Sequence, residues 1–387
     1  MMRQFTEEQI MFRDAYRRFI ESDIAPHMEE WREAGIVDRS AFRKAGALGF
    51  LMVWPGEQYG GTGDADFRYE QIIIEETARA GCAAWYNTLH SRLVGPYLQR
   101  FGTEEQRERL LPGCVTGESI LAIAMTEPGA GSDLAGMRAT AEDKGDHFLL
   151  NGSKTYISNG INADIVIVAA RLAGADGKHA LVLLIVERGM EGFERGLNLK
   201  KMGLSAQDTA ELFFDNVKVP KANVLGEPGK GFYHLMEGLA EERLIAAVGA
   251  AANARRAFDI TRNFAMERQL FGKSLAEQQN TQFRMAEMDA EIDLVQVYVD
   301  HCVTEHNAGR LTGNMGAKAK MLTTETEWKM VDLGVQLHGG AGYMDEYPIS
   351  RMFTDARVNR ILAGSSEVMR LIIGRDLFSQ KYQSMLA

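Results

Sequence analysis

The stretch AMTEPGAGSD (124–133) stands where the chain changes period, and its reading decides the fold. Upstream, apolar residues recur at helical spacing, as in Phe5, Phe12, Tyr16, Phe19 and Ile20. Around it the runs are short and β-like: SILAIAMT, FLLNGSKTYIS, DIVIVAARL, ALVLLIVE and AELFFDNVKVP, separated by Gly, Asp and Asn turn signals such as DKGD (143–146) and the cluster at 174–179. A glycine-rich turn here lets the backbone approach a ligand, and its N–H groups can cradle phosphate oxygens. It is not a dinucleotide fingerprint, because Leu134 stands where a third Gly or Ala belongs and no βαβ unit surrounds it. On composition alone an ordinary β-turn accounts for it equally well.

Working outward gives an α+β architecture. Residues 1–117 form an N-terminal helical domain, 118–225 a middle antiparallel β domain ended by GEPGKG (226–231), and 226–387 a C-terminal helical bundle. The bundle's helices are read at roughly 232–266, 280–307, 315–338 and 365–378.

The 387 residues carry a net charge of −10, which excludes the basic footprint of a nucleic-acid binder. Three scattered cysteines without CxxC spacing imply a reducing compartment. No apolar run reaches membrane-span length. The acidic, amphipathic N-terminus lacks the features of an attached transit peptide, so a cytoplasmic protein is expected, or a mitochondrial-matrix one whose transit peptide has been removed. The histidines of HCVTEH (301–306) do not share a helix face, so no metal site is expected. The methionines, Met285 and Met288 among them, read as core filling.

AMTEPGAGSD is followed, in order, by NGSKTYISNG (151–160), ERQLFGKSLAEQQ (267–279), QLHGGAGYMDEYPISRMFTDAR (336–357) and AGSSEVMR (363–370). Together these resemble the motifs of the acyl-CoA dehydrogenase family, over nearly the whole chain. The resemblance implies FAD as cofactor, an acyl-CoA substrate, a homotetramer and an electron-transferring flavoprotein as acceptor, in fatty-acid β-oxidation chemistry. It places Ile123, Met125 and Thr126 against the flavin ring, with the Thr126 hydroxyl near N5. Ser132 falls by the pyrophosphate and CoA, Tyr156 against the isoalloxazine where many relatives have Trp, and Ser158 where Thr is usual. Arg268, Phe271, Gln279, Gln336, Gly339 and Gly340 would reach the FAD of a neighbouring subunit. Ser365 and Glu367 would contact FAD from the C-terminal loop. Read without the resemblance, Tyr156 is a packed strand residue, Arg268 a solvated helix charge, and Gly339-Gly340 a helix stop.

The family's chemistry needs a carboxylate that removes the α-proton of a thioester while flavin N5 takes the β-hydride, giving a trans-2-enoyl-CoA. In many relatives the base precedes the glycine of the C-terminal loop; here that position is Ala363. The resemblance is strongest to the long-chain and isovaleryl branch, where the base sits instead before an Arg on the first bundle helix. GLAEERLIAAVGA (238–250) carries Glu242-Arg243 at that place, so Glu242 is the expected base. Adjacent helix residues point about 100° apart, so Glu241, its rival, cannot face the same thioester. Ser132, Ala240, Arg243 and Gly364 are the expected substrate contacts, although Ala240 stands where relatives often have Asp. Read bare, EER is a solvated helix face.

Two other readings keep the fold: an acyl-CoA oxidase, usually longer at its C-terminus, and a non-dehydrogenase flavoprotein such as the DNA-protecting branch, which needs a basic extension. In RAGCAAWYNTLHS (79–91), Trp85 and Tyr86 stand where the long-chain branch has small residues at the far end of the acyl pocket. Two aromatics there favour medium or branched acyl chains; rings turned into the helical core would leave the pocket open.

Overall fold

The computed structural model describes residues 5–175, 177 and 180–379. The turn cluster at 174–179 therefore lies partly outside the described residues. The N-terminal region folds into helices α1 (Glu7–Phe19), α2 (Met28–Ala34), α3 (Arg39–Ala47), α4 (Arg68–Ala80), α5 (Gly95–Phe101) and α6 (Glu104–Val115). Local chemistry sets their starts. Thr6 and Thr103 close capping boxes with Gln9 and Gln106, and Asp38 caps α3. A π-helical turn, Leu89–Val94, leads directly into α5.

Strands β1 (Leu121–Ala124), β2 (Thr140–Asp143), β3 (His147–Ser158), β4 (Ile165–Leu172), β5 (Leu181–Glu187), β6 (Phe193–Asn198), β7 (Thr209–Pro220) and β8 (Val224–Gly229) form one sheet in the order β6-β7-β3-β2-β4-β5-β8, with β1 also on β4. The sheet is mixed, which corrects the antiparallel expectation: β1 and β2 both pair parallel to β4, along one edge of it. The chain leaves that edge after Ala124 and rejoins it at Thr140 in the same direction, so residues 125–139 are an excursion and not a hairpin. β8 runs through Gly229, past the expected limit at 225. Strands β4 and β5 are buried on both faces, which explains their unbroken apolar runs.

The bundle comprises α7 (Gly231–Glu267), α8 (Gln279–Asn307), α9 (Gly313–His338), α10 (Pro348–Ala356) and α11 (Ser366–Leu377), with a small hairpin of β9 (Gln269–Leu270) and β10 (Lys273–Ser274) after α7. Helix α10 lies inside the motif 336–357, where its proline at N1 begins a helix that the motif reading passed over. A side chain on Gly316 would meet the Ala240 carbonyl at 2.8 Å, so only glycine lets α9 approach α7 this closely. One core cluster joins α5 and α6 (Tyr97, Leu110, Leu111), the sheet (Leu121, Ile167, Leu183) and the start of α7 (Leu235). All three regions thus meet where the site lies. Cys82, Cys114 and Cys302 are buried free thiols, and Met288 and Met330 fill the bundle core.

Candidate active site

Glu241 and Glu242 lie about three turns into α7, both buried, but they face different surroundings. Glu241 accepts from Arg92 Nε at 2.6 Å and from Arg100, and its Oε1 lies 3.5 Å from His306 Nε2. Burial opposes its charge, yet the His306 hydrogen bond and the Arg92, His306 and Arg100 charges outweigh that and hold its carboxyl at about 2. His306 of HCVTEH thus pairs with a carboxylate, and no group of three potential metal ligands occurs among the described residues.

Glu242 has no such cations bonded to it. Among the described residues only the Tyr97 hydroxyl donates to it, at Oε1 over 2.8 Å. Burial pushes its carboxyl up to about 7, offset only in part by the Tyr97 bond and the Arg243 charge. A carboxyl near 7 holds its proton loosely and takes one readily. The next residue, Arg243, is buried, and its Nε has no acceptor among the described residues. Ala240, half-buried, packs its carbonyl on Gly316.

Opposite this turn lies the C-terminal loop. Ala363 and Gly364 both have left-handed backbone, at φ 51° and 86°. Buried Lys320 of α9 donates to the carbonyls of Leu362 and Gly364, clamping the loop from both sides of Ala363. Burial, with Arg243 nearby, pulls that ammonium down to about 8. Ser365 caps α11 by accepting from Val368 N, and Glu367, exposed, pairs with Arg370.

On the sheet side, the excursion after β1 is built over a buried ion pair. Lys154 Nζ bonds Glu127 Oε1 at 2.8 Å and the Met125 carbonyl at 3.1 Å, while Glu127 also accepts from Arg138 N and Ala139 N. The Thr126 carbonyl accepts from Thr155 N, which lays the start of the loop along the end of β3. There β3 slips register against β7 between Lys154 and Ile157, and Tyr156, at φ 58°, is turned out to 70% exposure. Tyr156 is therefore not core packing. Ile123, Met125, Thr126 and Ser158 are half-buried beside it, and Ser132 is exposed on the loop.

A second group lies at the far end of the bundle. Phe264 near the end of α7 stacks on His338 at the end of α9, with centroids 4.0 Å apart. That contact brings Arg268, Phe271 on the hairpin, Gln336, Gly339 and Gly340 to one end, with Gln279 opening α8. All are exposed, Phe271 to 92%. Sixteen residues of α9 separate Gln336 from Lys320, about 24 Å of helix. One subunit's loop clamp and its hairpin end are thus well apart.

Comparison with known proteins settles the family. Models of the acyl-CoA dehydrogenase N-terminal, middle and C-terminal domains match residues 6–118, 122–217 and 229–378. The chain belongs to the acyl-CoA dehydrogenase family. It is 42% identical to the mitochondrial long-chain specific acyl-CoA dehydrogenase of Sus scrofa over 381 residues, 98% of this chain and 88% of that protein. An acyl-CoA dehydrogenase structure from Geobacillus kaustophilus superposes with a TM-score of 0.95 at 47% identity, covering 97% of this chain and all of that one. A Bacillus anthracis acyl-CoA dehydrogenase complexed with FAD superposes at 0.90, with 32% identity, over 98% of this chain and 68% of that one.

Members of this family are FAD-dependent oxidoreductases. The residues here fit a flavin: an aromatic ring turned out of a strand, a half-buried methionine and threonine beside it, and a loop whose Gly129 and Gly131 have open space above their Cα atoms.

Beyond Glu242 a cavity runs along α7, lined by Ile245, Ala246, Gly249 and Asn253, and faced by Tyr86, Thr88 and Leu362. Trp85 does not line it. Its ring is 1% exposed in the N-terminal core, 4.8 Å from Phe42 and 6.4 Å from Trp31 between centroids. The expectation that both aromatics fill the pocket is therefore corrected for Trp85, whose backbone turn directs it inward and only Tyr86 outward.

Several site residues escaped the sequence reading: Tyr97, Arg92, Arg100, Lys320 and the Glu127–Lys154 pair. Lys154 left a signal, since it shares strand parity with the inward Phe148 and Leu150. Tyr97 and Lys320 left none, because their partners are distant in sequence. Among the described residues no helix is long and apolar enough to cross a membrane.

Proposed function

We propose that this chain dehydrogenates an acyl-CoA thioester to the trans-2-enoyl-CoA, with Glu242 removing the α-proton. The observation that carries the reading is the division between neighbours: Glu241 is locked as a paired carboxylate, while Glu242 has one oxygen free and a carboxyl near 7. FAD, when bound against Met125, Thr126 and Tyr156, supplies the hydride acceptor for the β-carbon. The chain's own groups do the rest. Tyr86 and Tyr97 wall the site off from water, and Arg243, with an unpaired buried Nε, offers charge to the substrate. Ser132, Gly364, Ser365 and Glu367 are the further contacts this reading assigns to substrate and cofactor. The electron acceptor is an electron-transferring flavoprotein.

The acyl chain follows α7. From Glu242 to Asn253 the helix rises about 16 Å. An extended chain advances roughly 1.25 Å per carbon, given C–C bonds of about 1.5 Å at tetrahedral angles. A straight chain of about 12–14 carbons therefore reaches Asn253, where hydrogen-bonded Glu327 and half-buried Asp355 make further apolar extension unfavourable. With Trp85 out of the way, this replaces the preference for shorter or branched chains. The Arg268–Gly340 end contacts FAD of a neighbouring subunit in a homotetramer.

Anaerobic mixing of the purified holoenzyme with saturated acyl-CoAs from butyryl to palmitoyl tests this. Flavin bleaching with enoyl-CoA formed, fastest near dodecanoyl or tetradecanoyl, is expected. No bleaching with any chain would reject the reading, and rapid reoxidation by oxygen would favour an oxidase.

A further inference from the structure

We infer that Tyr97 is the positioning residue of the base: its hydroxyl holds one oxygen of Glu242 and leaves the other free to take the α-proton. The inference rests on Glu242 being that base. The two groups come from different elements, α5 and α7, and are both buried. Their bond is 2.8 Å, from Tyr97 Oη to Glu242 Oε1. Oε2 accepts nothing from the described residues. The contact is also built from below. A side chain at Gly238, one turn before Glu242, would meet Tyr97 Oη at 2.6 Å and Glu242 Oε1 at 3.3 Å. Only glycine there leaves room for the tyrosine oxygen. The π-helical turn at Leu89–Val94 precedes α5 and sets the rotation at which Tyr97 enters.

Toward the ionised carboxylate Tyr97 is the donor, because burial, followed by the Glu242 charge, keeps its phenol protonated well above the usual tyrosine range, and the Leu235 carbonyl, its other acceptor, lies farther off at 3.5 Å. A donor to a carboxylate favours the ionised form. The other groups facing Glu242 are Arg243 and Glu241 on its own helix, Arg100 on α5, and Tyr86 from the loop before the π turn. Arg243 and Arg100 favour ionisation, and Glu241 opposes it. None of these is hydrogen-bonded to Glu242 among the described residues, so the short-range control belongs to Tyr97. Without it the carboxyl would ionise at higher pH and its free oxygen would lose its fixed direction.

The test is anaerobic flavin reduction by sub-saturating dodecanoyl-CoA, followed against pH, for the wild-type holoenzyme, Tyr97→Phe, Gly238→Ala and Glu242→Gln. At sub-saturating substrate the acid limb reports the free enzyme. In Tyr97→Phe the limb is expected to move up by about one pH unit, the scale of a hydrogen bond to a charged group. At pH values on that limb the rate falls roughly tenfold, with flavin content unchanged. Gly238→Ala displaces the tyrosine oxygen and should move the limb in the same direction, which keeps the test open if Tyr97→Phe fails to fold. An acid limb that stays put in both variants, while Glu242→Gln is silent, overturns the positioning role. Flavin reduction at the wild-type rate in Glu242→Gln overturns the base assignment itself, a separate failure.

Discussion

Glu241 and Glu242 are neighbours on one helix, yet the first is held by Arg92, Arg100 and His306 and the second by a single tyrosine hydroxyl. One backbone step of about 100° separates a structural anion from a carboxyl poised near neutrality. The anion ties α7 to α5, to α8 and to the π turn, and so fixes the rotation of α7 about its own axis. Glu242 inherits its direction from that anchorage.

Removing the anchor should therefore cost stability. Glu241→Gln leaves Arg92 buried without its carboxylate, and breaking one partner of a buried pair costs about 3–5 kcal/mol. Chemical denaturation of the holoenzyme would show a loss on that scale, with residual turnover in the folded fraction. An unchanged midpoint would mean that the Arg92–Glu241 contact contributes little.

Substrate length should respond to the cavity wall and not to Trp85. A Cβ on Gly249 meets only Ile74, at an ordinary 3.7 Å, so Gly249→Leu is expected to keep the helix and to fill the channel. Displacing three or four methylenes at about 0.8 kcal/mol each forfeits roughly 2.5–3 kcal/mol, about 100-fold in specificity for tetradecanoyl over butyryl-CoA. Trp85→Ala, by contrast, should cost about 3–5 kcal/mol of stability and leave the length preference where it was. Specificity constants across the acyl series decide between them; a length shift in Trp85→Ala alone would reverse the assignment.

Stability should decline as pH rises through neutrality. Burial raises Glu70 and Glu242 from 4.5 to about 7 and Glu327 to about 8. Unfolded, these groups ionise near 4.5. Between there and about pH 8 the unfolded chain has lost protons that the folded chain retains, so the balance moves toward unfolding. Their contribution is full below 4.5 and gone above 8. Glu241, depressed to about 2, works the other way: its contribution is full above 4.5 and fades as pH falls toward 2. Thermal midpoints of the holoenzyme should fall from about pH 5.5 to 8.5. A flat or rising profile would contradict the buried, protonated carboxyls.

The sequence was legible where a short segment decides its own structure. The bundle helices read as 232–266 and 280–307 are α7 at Gly231–Glu267 and α8 at Gln279–Asn307, because long apolar stripes and flanking turn residues fix them locally. The proposal that Glu242 is the base draws on two local motifs, the EER step and Ala363. What stayed hidden depends on tertiary geometry. Nothing local tells that β3 slips register after Lys154 and turns Tyr156 outward, or that β2 returns to the edge β1 had left. Trp85 and Tyr86 look alike in sequence, and only the packing of Trp31 and Phe42 separates them. The Tyr97–Glu242 contact spans 145 positions and is invisible to any window.

Assembly should control the cofactor. Phe271, at left-handed φ in the turn of the small hairpin, is 92% exposed among the described residues. Phe271→Ala and Arg268→Ala should leave subunit folding intact and lower the flavin-to-protein ratio after gel filtration. Light scattering on the wild-type protein should give a tetramer. A monomer that keeps its flavin would refute the shared site.

The central claim is that Glu242 takes the α-proton. Its most direct measurement is the rate of anaerobic flavin reduction by dodecanoyl-CoA in Glu242→Gln, with enoyl-CoA binding measured on the same protein. General-base loss should slow reduction by about 10²–10⁴-fold while FAD and product binding persist. Reduction at the wild-type rate in Glu242→Gln, with Glu241→Gln folded but silent, would contradict the account.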